Sequence, residues 1–269
     1  MNISHPTPYG ELNAVLHELV TSVQLILGAP FTGAYLQGSF AVGDFDTHSD
    51  VDWLVVVEDD VSVAQLAALQ TLHARIYDLP STWAQHLDGS YLPKAVLRQP
   101  VPAGEQGLYL DNGSRELIRS SHDNTVVVRW TVREHGITLA GPDPQLLIDP
   151  VSARDLRHEV SVKMRAWADE VFAAPDAMNN RWYQPYAVLS YCRMLHTLQT
   201  GTVGSKPAAA RWAKEALNSR WAPLIQRAWN ERPDPSLKLR QPADPDDFQR
   251  TLEFIRYALT RQERDDPNR

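Results

Sequence analysis

Five consecutive apolar residues, Trp53-Leu54-Val55-Val56-Val57, follow a mouth that carries two carboxylates, Asp50 and Asp52. A run this apolar reads as a strand over 52–58 that is buried on both faces and lies centrally in a sheet. Alternation along a strand sends positions i and i+2 to one face, so Asp50 and Asp52 present their carboxylates side by side. Like charges at that spacing call for a cation. Ten residues earlier the pair Gly38-Ser39 closes a shorter strand over 32–37. A residue without Cβ lets the backbone turn sharply and approach a phosphate closely, and the amide and hydroxyl of Ser39 then donate to phosphate oxygens. Asp50 and Asp52, hard oxygen donors, would share Mg²⁺ with a triphosphate. Ser49 adds a phosphate contact, and His48 orders the turn. The spacing therefore predicts a site for a metal-bound nucleoside triphosphate.

Around this pair the first half of the chain alternates helix and strand signals. Leu12, Val15, Leu16, Leu19, Val20, Val23 and Leu27 form one helical stripe over 8–28 that ends at Gly28. Val61 to Tyr77 repeats the helical spacing. Trp83 to Leu92 reads as a third strand, punctuated by Pro80 and Pro93. Asp123 to His135 is ambiguous: Thr125-Val126-Val127-Val128 favours a strand, whereas Asp123 as cap and Gly136 as stop favour a helix. Three prolines between Pro142 and Pro150 then interrupt every regular pattern and divide the chain into 1–150 and 151–269. Beyond them come amphipathic helices over roughly 152–173, 183–200, 206–217, 219–231 and 246–262. The architecture expected is an α/β domain followed by an all-α helical bundle, with a frayed charged tail at 263–269.

The 269 residues, 43% of them hydrophobic, suffice for buried cores. A net charge of −7 argues against a nucleic-acid partner and suits a small or cationic substrate. One cysteine, Cys192, cannot form an internal disulfide and reads as a buried apolar residue. No apolar run approaches the roughly 20 residues of a membrane span. The default expectation is a cytoplasmic protein without membrane partners.

Gly38-Ser39 followed by Ser49-Asp50-x-Asp52 resembles the nucleotidyltransferase superfamily typified by polymerase β, which moves a nucleoside monophosphate from a triphosphate to a hydroxyl. Within it, Tyr191 to Gly201, Lys206 and Ala210-Arg211-Trp212-Ala213 resemble the helical domain of the streptomycin/spectinomycin adenylyltransferases. Arg133 to Pro142 with Asp149-Pro150-Val151 is similar to their interdomain region, where a helix leads into a strand, which favours helix for the ambiguous segment 123–135. The resemblance implies a mixed-sheet nucleotidyltransferase domain (1–150) with a helical C-terminal domain (151–269). It implies Mg²⁺-dependent transfer of AMP from ATP to a hydroxyl of an aminoglycoside-type antibiotic. A monomer is expected, because two domains suffice to build one closed site. Arg193 and Lys206 would then contact the ATP phosphates, Arg as a planar fork and Lys as a point charge. Trp229 would contact adenine or serve as packing. A third carboxylate of the family takes the proton from the acceptor and borders the metal. Asp88, on the next expected strand, is the candidate for both, with Asp111 and Glu105 as alternatives. The family residue is usually Glu, one methylene longer.

The acceptor half departs from the family. The family sets acidic residues early in the helix that leads to Arg193, where they pair with the drug's cations. Here the segment reads Trp182-Tyr183-Gln184-Pro185-Tyr186. Without those carboxylates an aminoglycoside forgoes charge-assisted hydrogen bonds of roughly 1.5–3 kcal/mol each. A non-drug hydroxyl acceptor, either a protein or a metabolite, and a nucleotide-binding module without transfer activity are the alternative readings. Arg157-His158-Glu159 and Arg133-Glu134-His135 lack the His-Glu-x-x-His spacing of a zinc helix.

Overall fold

Leu12, Val15, Leu16, Leu19 and Val23 are all buried along one face of helix α1 (Gly10–Leu27), which Gly28 ends in a backbone conformation of positive φ. The computed structural model describes residues 5–46, 49–99, 107–232 and 241–264. His48, the alternative base Glu105 and the tail from 265 lie outside the described residues. The chain divides into two compact units, Met1–Pro150 and Val151–Arg269.

In the first unit, α1 is followed by β1 (Phe31–Leu36), the single turn α2 (Gly38–Ala41), β2 (Val51–Val57) and α3 (Val63–Tyr77). Next come β3 (Leu87–Pro93), α4 (Lys94–Arg98), β4 (Gly107–Leu110), β5 (Leu117–Ser120), α5 (Val126–His135) and β6 (Ile137–Ala140). The six strands form one mixed sheet in the order β5-β4-β3-β2-β1-β6, with β2 and β3 parallel and the other neighbours antiparallel. α3 makes the crossover that a parallel pair requires. Its start is fixed by a capping box in which Ser62 and Gln65 satisfy each other's backbone amides.

Alternation along β2 divides the core. Val51, Trp53, Val55 and Val57 pack with α1 and α3, while Leu54 and Val56 pack with α4 and α5. Full burial of each such side chain contributes about 1.5–3 kcal/mol, and β2 supplies both layers. The run of apolar residues thus marks the centre of the sheet, as its composition predicts.

Two local expectations change, and two strands went unread. The strand expected from Trp83 begins at Leu87, because Thr82–Gln85 is a 3₁₀ turn that sends Trp83 onto Tyr9 and Phe40. Val126–His135 is a helix although it opens on three consecutive valines. Its cap is Thr125, whose hydroxyl accepts from the Val128 amide, whereas Asp123 is buried and accepts a hydrogen bond from Ser90. The short strands β4 and β5 had no periodic signal long enough to be read.

The second unit contains α6 (Ala153–Ala173), α7 (Tyr183–Thr200), α8 (Lys206–Ala216), α9 (Ala222–Asn230) and α10 (Pro245–Arg264). α7 packs against α6, α8, α9 and α10, so its residues Ala187, Val188, Tyr191, Cys192 and Leu195 form the middle of the core. The helix expected over 219–231 is split: Ser219–Trp221 is a 3₁₀ turn, and Pro223 opens the α-helix proper.

Candidate active site

The turn after β1 places Gly38 against Asp52. Gly38 has φ 60°, and a Cβ built on it would stand 2.5 Å from Cγ of Asp52 and overlap the carboxylate. Only glycine satisfies both conditions. The Gln37 amide donates to the Asp52 carbonyl at 2.9 Å, which locks the turn to β2. From below, Phe40 stacks on Phe45 at 4.6 Å, and Tyr9 and Trp83 pack edge-on to Phe40. The Ser39 hydroxyl is buried in this turn without a hydrogen-bond partner. A buried polar atom left unsatisfied costs about 1–3 kcal/mol, and a phosphate oxygen is the type of acceptor that would remove that cost.

Beside the turn, the parallel register sets Asp52 opposite Asp88. Neighbouring strands lie about 4.8 Å apart and paired residues share a face, so the two carboxylates stand abreast. Asp50 shares that face through the i, i+2 rule. Asp88 is pushed up to about 7, first by burial and then by the negative charge of Asp50 and of Asp123. A carboxyl poised there is matched to general-base work near neutral pH. Tyr109 on β4 opposes this shift, donating to Asp88 Oδ2 at 3.3 Å while also reaching Asp111 Oδ1 at 3.2 Å.

The other expected residues are distributed as follows. The Ser49 hydroxyl is engaged within its own turn, accepting from the Asp46 amide at 3.0 Å. Asp111 is exposed at the end of β4 and is bridged to Asp88 through Tyr109. In the helical unit Arg193 lies on α7 and its Nε donates to the Gly204 carbonyl at 3.1 Å. Lys206 opens α8 directly after the capping residue Ser205. Trp229 packs on the helical core with the Arg232 guanidinium 4.0 Å from its ring centroid. Trp182 stacks on the exposed Tyr186 at 5.4 Å, and Tyr183 is tied to Trp167 by a 2.8 Å hydrogen bond. Cys192 is fully buried, which pushes its thiol up.

Among the described residues no group of three or more His, Cys, Asp or Glu side chains is gathered to hold a metal ion unaided. Mg²⁺ bound with substrate phosphates needs only one or two carboxylates. Asp50 and Asp52 supply that number of carboxylates, and Asp88 stands beside them, hydrogen-bonded to Tyr109. Sequence reasoning missed Tyr109 and Asp123. Tyr109 emerges only once β4 is paired with β3, where it opposes Ser90, and Asp123 emerges through the hydrogen bond it accepts from Ser90 in the turn before α5. The one signal available was the i, i+2 spacing of Tyr109 and Asp111.

Residues 146–260 match the family model of the aminoglycoside adenylyltransferase C-terminal domain. An aminoglycoside (3'') (9) adenylyltransferase of Shigella flexneri is 24% identical over 233 residues, 81% of this chain and 84% of the relative. A spectinomycin 9-adenylyltransferase of Staphylococcus aureus is 26% identical over 221 residues, 77% of this chain and 79% of that one. Among solved structures, spectinomycin adenyltransferase AAD(9) from Enterococcus faecialis with ATP and spectinomycin superposes with a TM-score of 0.69. It covers 92% of this chain and 98% of its own, at 14% identity, and so bears on the fold: a nucleotidyltransferase sheet with a helical C-terminal region. On these matches, the chain resembles the aminoglycoside and spectinomycin adenylyltransferases along about four-fifths of its length, and its residues 146–260 match their C-terminal domain.

Proposed function

We propose that the protein transfers AMP from ATP to a hydroxyl of an aminoglycoside or of spectinomycin. The observation that carries this reading is the register of Asp52 with Asp88, beside a glycine turn whose serine hydroxyl is buried and unpartnered. Relatives along about four-fifths of the chain carry that activity in their names.

The donors present fit Mg²⁺: Asp50 and Asp52 are hard oxygen ligands at the mouth of β2, the Gly38 turn packs directly against the Asp52 carboxylate, and the Ser39 hydroxyl beside it is buried without a partner. When bound, the ion neutralises charge that develops on the phosphates. The amide and hydroxyl of Ser39 donate to phosphate oxygens, and Gly38 permits their approach. Asp88 accepts the proton of the acceptor hydroxyl as its oxygen attacks the α-phosphorus in line. The new O–P bond forms while the bond to the β-phosphate oxygen breaks, and pyrophosphate leaves. Arg193 and Lys206 are assigned to the triphosphate by resemblance to the family, a role their chemistry suits. Substitution of either should raise KM for ATP.

The test is pyrophosphate release from ATP and Mg²⁺ with streptomycin, spectinomycin and kanamycin offered separately. Turnover with at least one, abolished by Asp52→Asn, is expected. Turnover with none of them, together with AMP labelling of components of a cell extract, would move the acceptor outside the antibiotics. Tight ATP binding with no transfer at all would leave a nucleotide-binding module.

A further inference from the structure

Tyr109 is buried, with only 6% of its surface exposed, yet its hydroxyl lies within hydrogen-bond reach of two carboxylates, Asp88 on β3 and Asp111 just past the end of β4. A phenol has one proton to give, and both Asp88 Oδ2 and Asp111 Oδ1 lie where they accept it. The hydroxyl is therefore held between them, and swinging toward either would weaken its hold on the other.

Everything around the ring restricts its motion. His122 stacks on it at 4.4 Å with an interplanar angle of 16°. β4 is paired on both sides, to β3 through Ser90 opposite Tyr109 and to β5 through Ile118 opposite Tyr109. The β4–β5 turn is itself tied to the segment that enters β3: the Gly113 amide donates to the Gln85 carbonyl at 3.1 Å, and Asn112 lies 3.3 Å from the His86 ring. Asp111 is thus fixed relative to β3, and through Tyr109 it sets the position of the Asp88 side chain. An aspartate is short, and its carboxylate reaches less far than a glutamate's. A base of limited reach tolerates little rotation, since misplacement by about 1 Å can cost on the order of 100-fold in rate.

We infer that Tyr109, anchored by Asp111, is a positioning residue that holds Oδ2 of Asp88 and leaves its other oxygen, Oδ1, to meet the acceptor hydroxyl. This deepens the adenylyltransferase reading and rests on Asp88 as its base. Asp111 thereby acts as the anchor of the tyrosine and not as a second base.

The test compares Tyr109→Phe, Asp111→Ala and the double variant, measuring pyrophosphate release with ATP, Mg²⁺ and spectinomycin or streptomycin. Tyr109→Phe should lower kcat by about 10- to 100-fold with KM for ATP and melting temperature unchanged. Asp111→Ala should lower kcat less, and should add nothing when combined with Tyr109→Phe, because the two residues act as one unit. A kcat within twofold of the parent in Tyr109→Phe, a parallel rise in KM for ATP, or full additivity would each overturn the inference. Asp88→Asn separates the two levels: parental turnover in that variant would remove the base itself. If neither drug is turned over, a crystal structure of Tyr109→Phe still decides the positioning claim, which falls if the Asp88 carboxylate keeps its orientation.

Discussion

Gly38 and Asp52 occupy space that admits no methyl group between them: a Cβ on Gly38 would lie 2.9 Å from Cβ of Asp52 and overlap its carboxylate. The glycine of the turn and the aspartate of the strand are therefore one geometric unit. Gly38→Ala meets two penalties, the positive φ and this overlap. A strained φ alone costs about 1–2 kcal/mol. The expected outcome is a lower melting temperature and at least a 100-fold loss of kcat/KM for ATP, read by thermal unfolding and pyrophosphate release. By contrast Gly43→Ala, also at positive φ but with no atom within 4 Å of the added Cβ, should cost stability and spare most of the activity.

Ser39 separates stability from binding. Its hydroxyl is buried without a partner, so its removal takes away an unsatisfied group and leaves the packing otherwise unchanged. Ser39→Ala should keep or raise stability by about 1 kcal/mol while weakening ATP binding. Urea unfolding and ATP titration should then move in opposite directions. A variant that is destabilised and still binds ATP normally would show the hydroxyl to be structural.

His73 gives the first unit a defined acid limit. It is buried on α3, stacked 5.4 Å from Trp53 and 2.8 Å from the Tyr91 hydroxyl, and burial pushes it down to about 3. The unfolded chain holds this histidine near its ordinary 6.5, so between those values the unfolded state binds the extra proton. Stability contributed by neutral His73 is complete above pH 6.5 and is lost as the pH falls toward 3, with a slope near 1.4 kcal/mol per unit. Urea unfolding between about pH 4 and pH 7 should show that slope in the parent and a shallower one in His73→Phe.

How much of this was legible in the sequence follows from the range of each signal. β2 and its aspartates were readable because an apolar run and an i, i+2 pair are local properties of one strand. α5 was ambiguous on periodicity because three consecutive valines favour strand locally, whereas helical geometry packs Val128 and Val132 together into the core beside α4. Asp88 was placed because it lies on the next expected strand, and the observed strand, which begins four residues later, still contains it. Tyr109, His122 and Asp123 could not be assigned, because their relation to Asp88 is created by cross-strand register and by the turn before α5. Arg193 and Lys206 carry no pattern of their own and were found only through resemblance.

Arg193 offers a test of geometry as distinct from charge. Its Nε is committed to the Gly204 carbonyl, in the loop that leads from α7 to Ser205 and Lys206. The planar fork can make that bond and still present its terminal nitrogens to phosphate oxygens, whereas a lysine has a single nitrogen and must choose. Arg193→Lys should therefore raise KM for ATP by about 10-fold, a loss of roughly 1.4 kcal/mol, despite the retained charge. Arg193→Ala should lose that and the remaining electrostatic attraction, with kcat falling too if the guanidinium also stabilises the departing pyrophosphate. Steady-state kinetics at saturating acceptor would check both variants, and a Lys variant with parental KM would show that charge alone is what position 193 contributes.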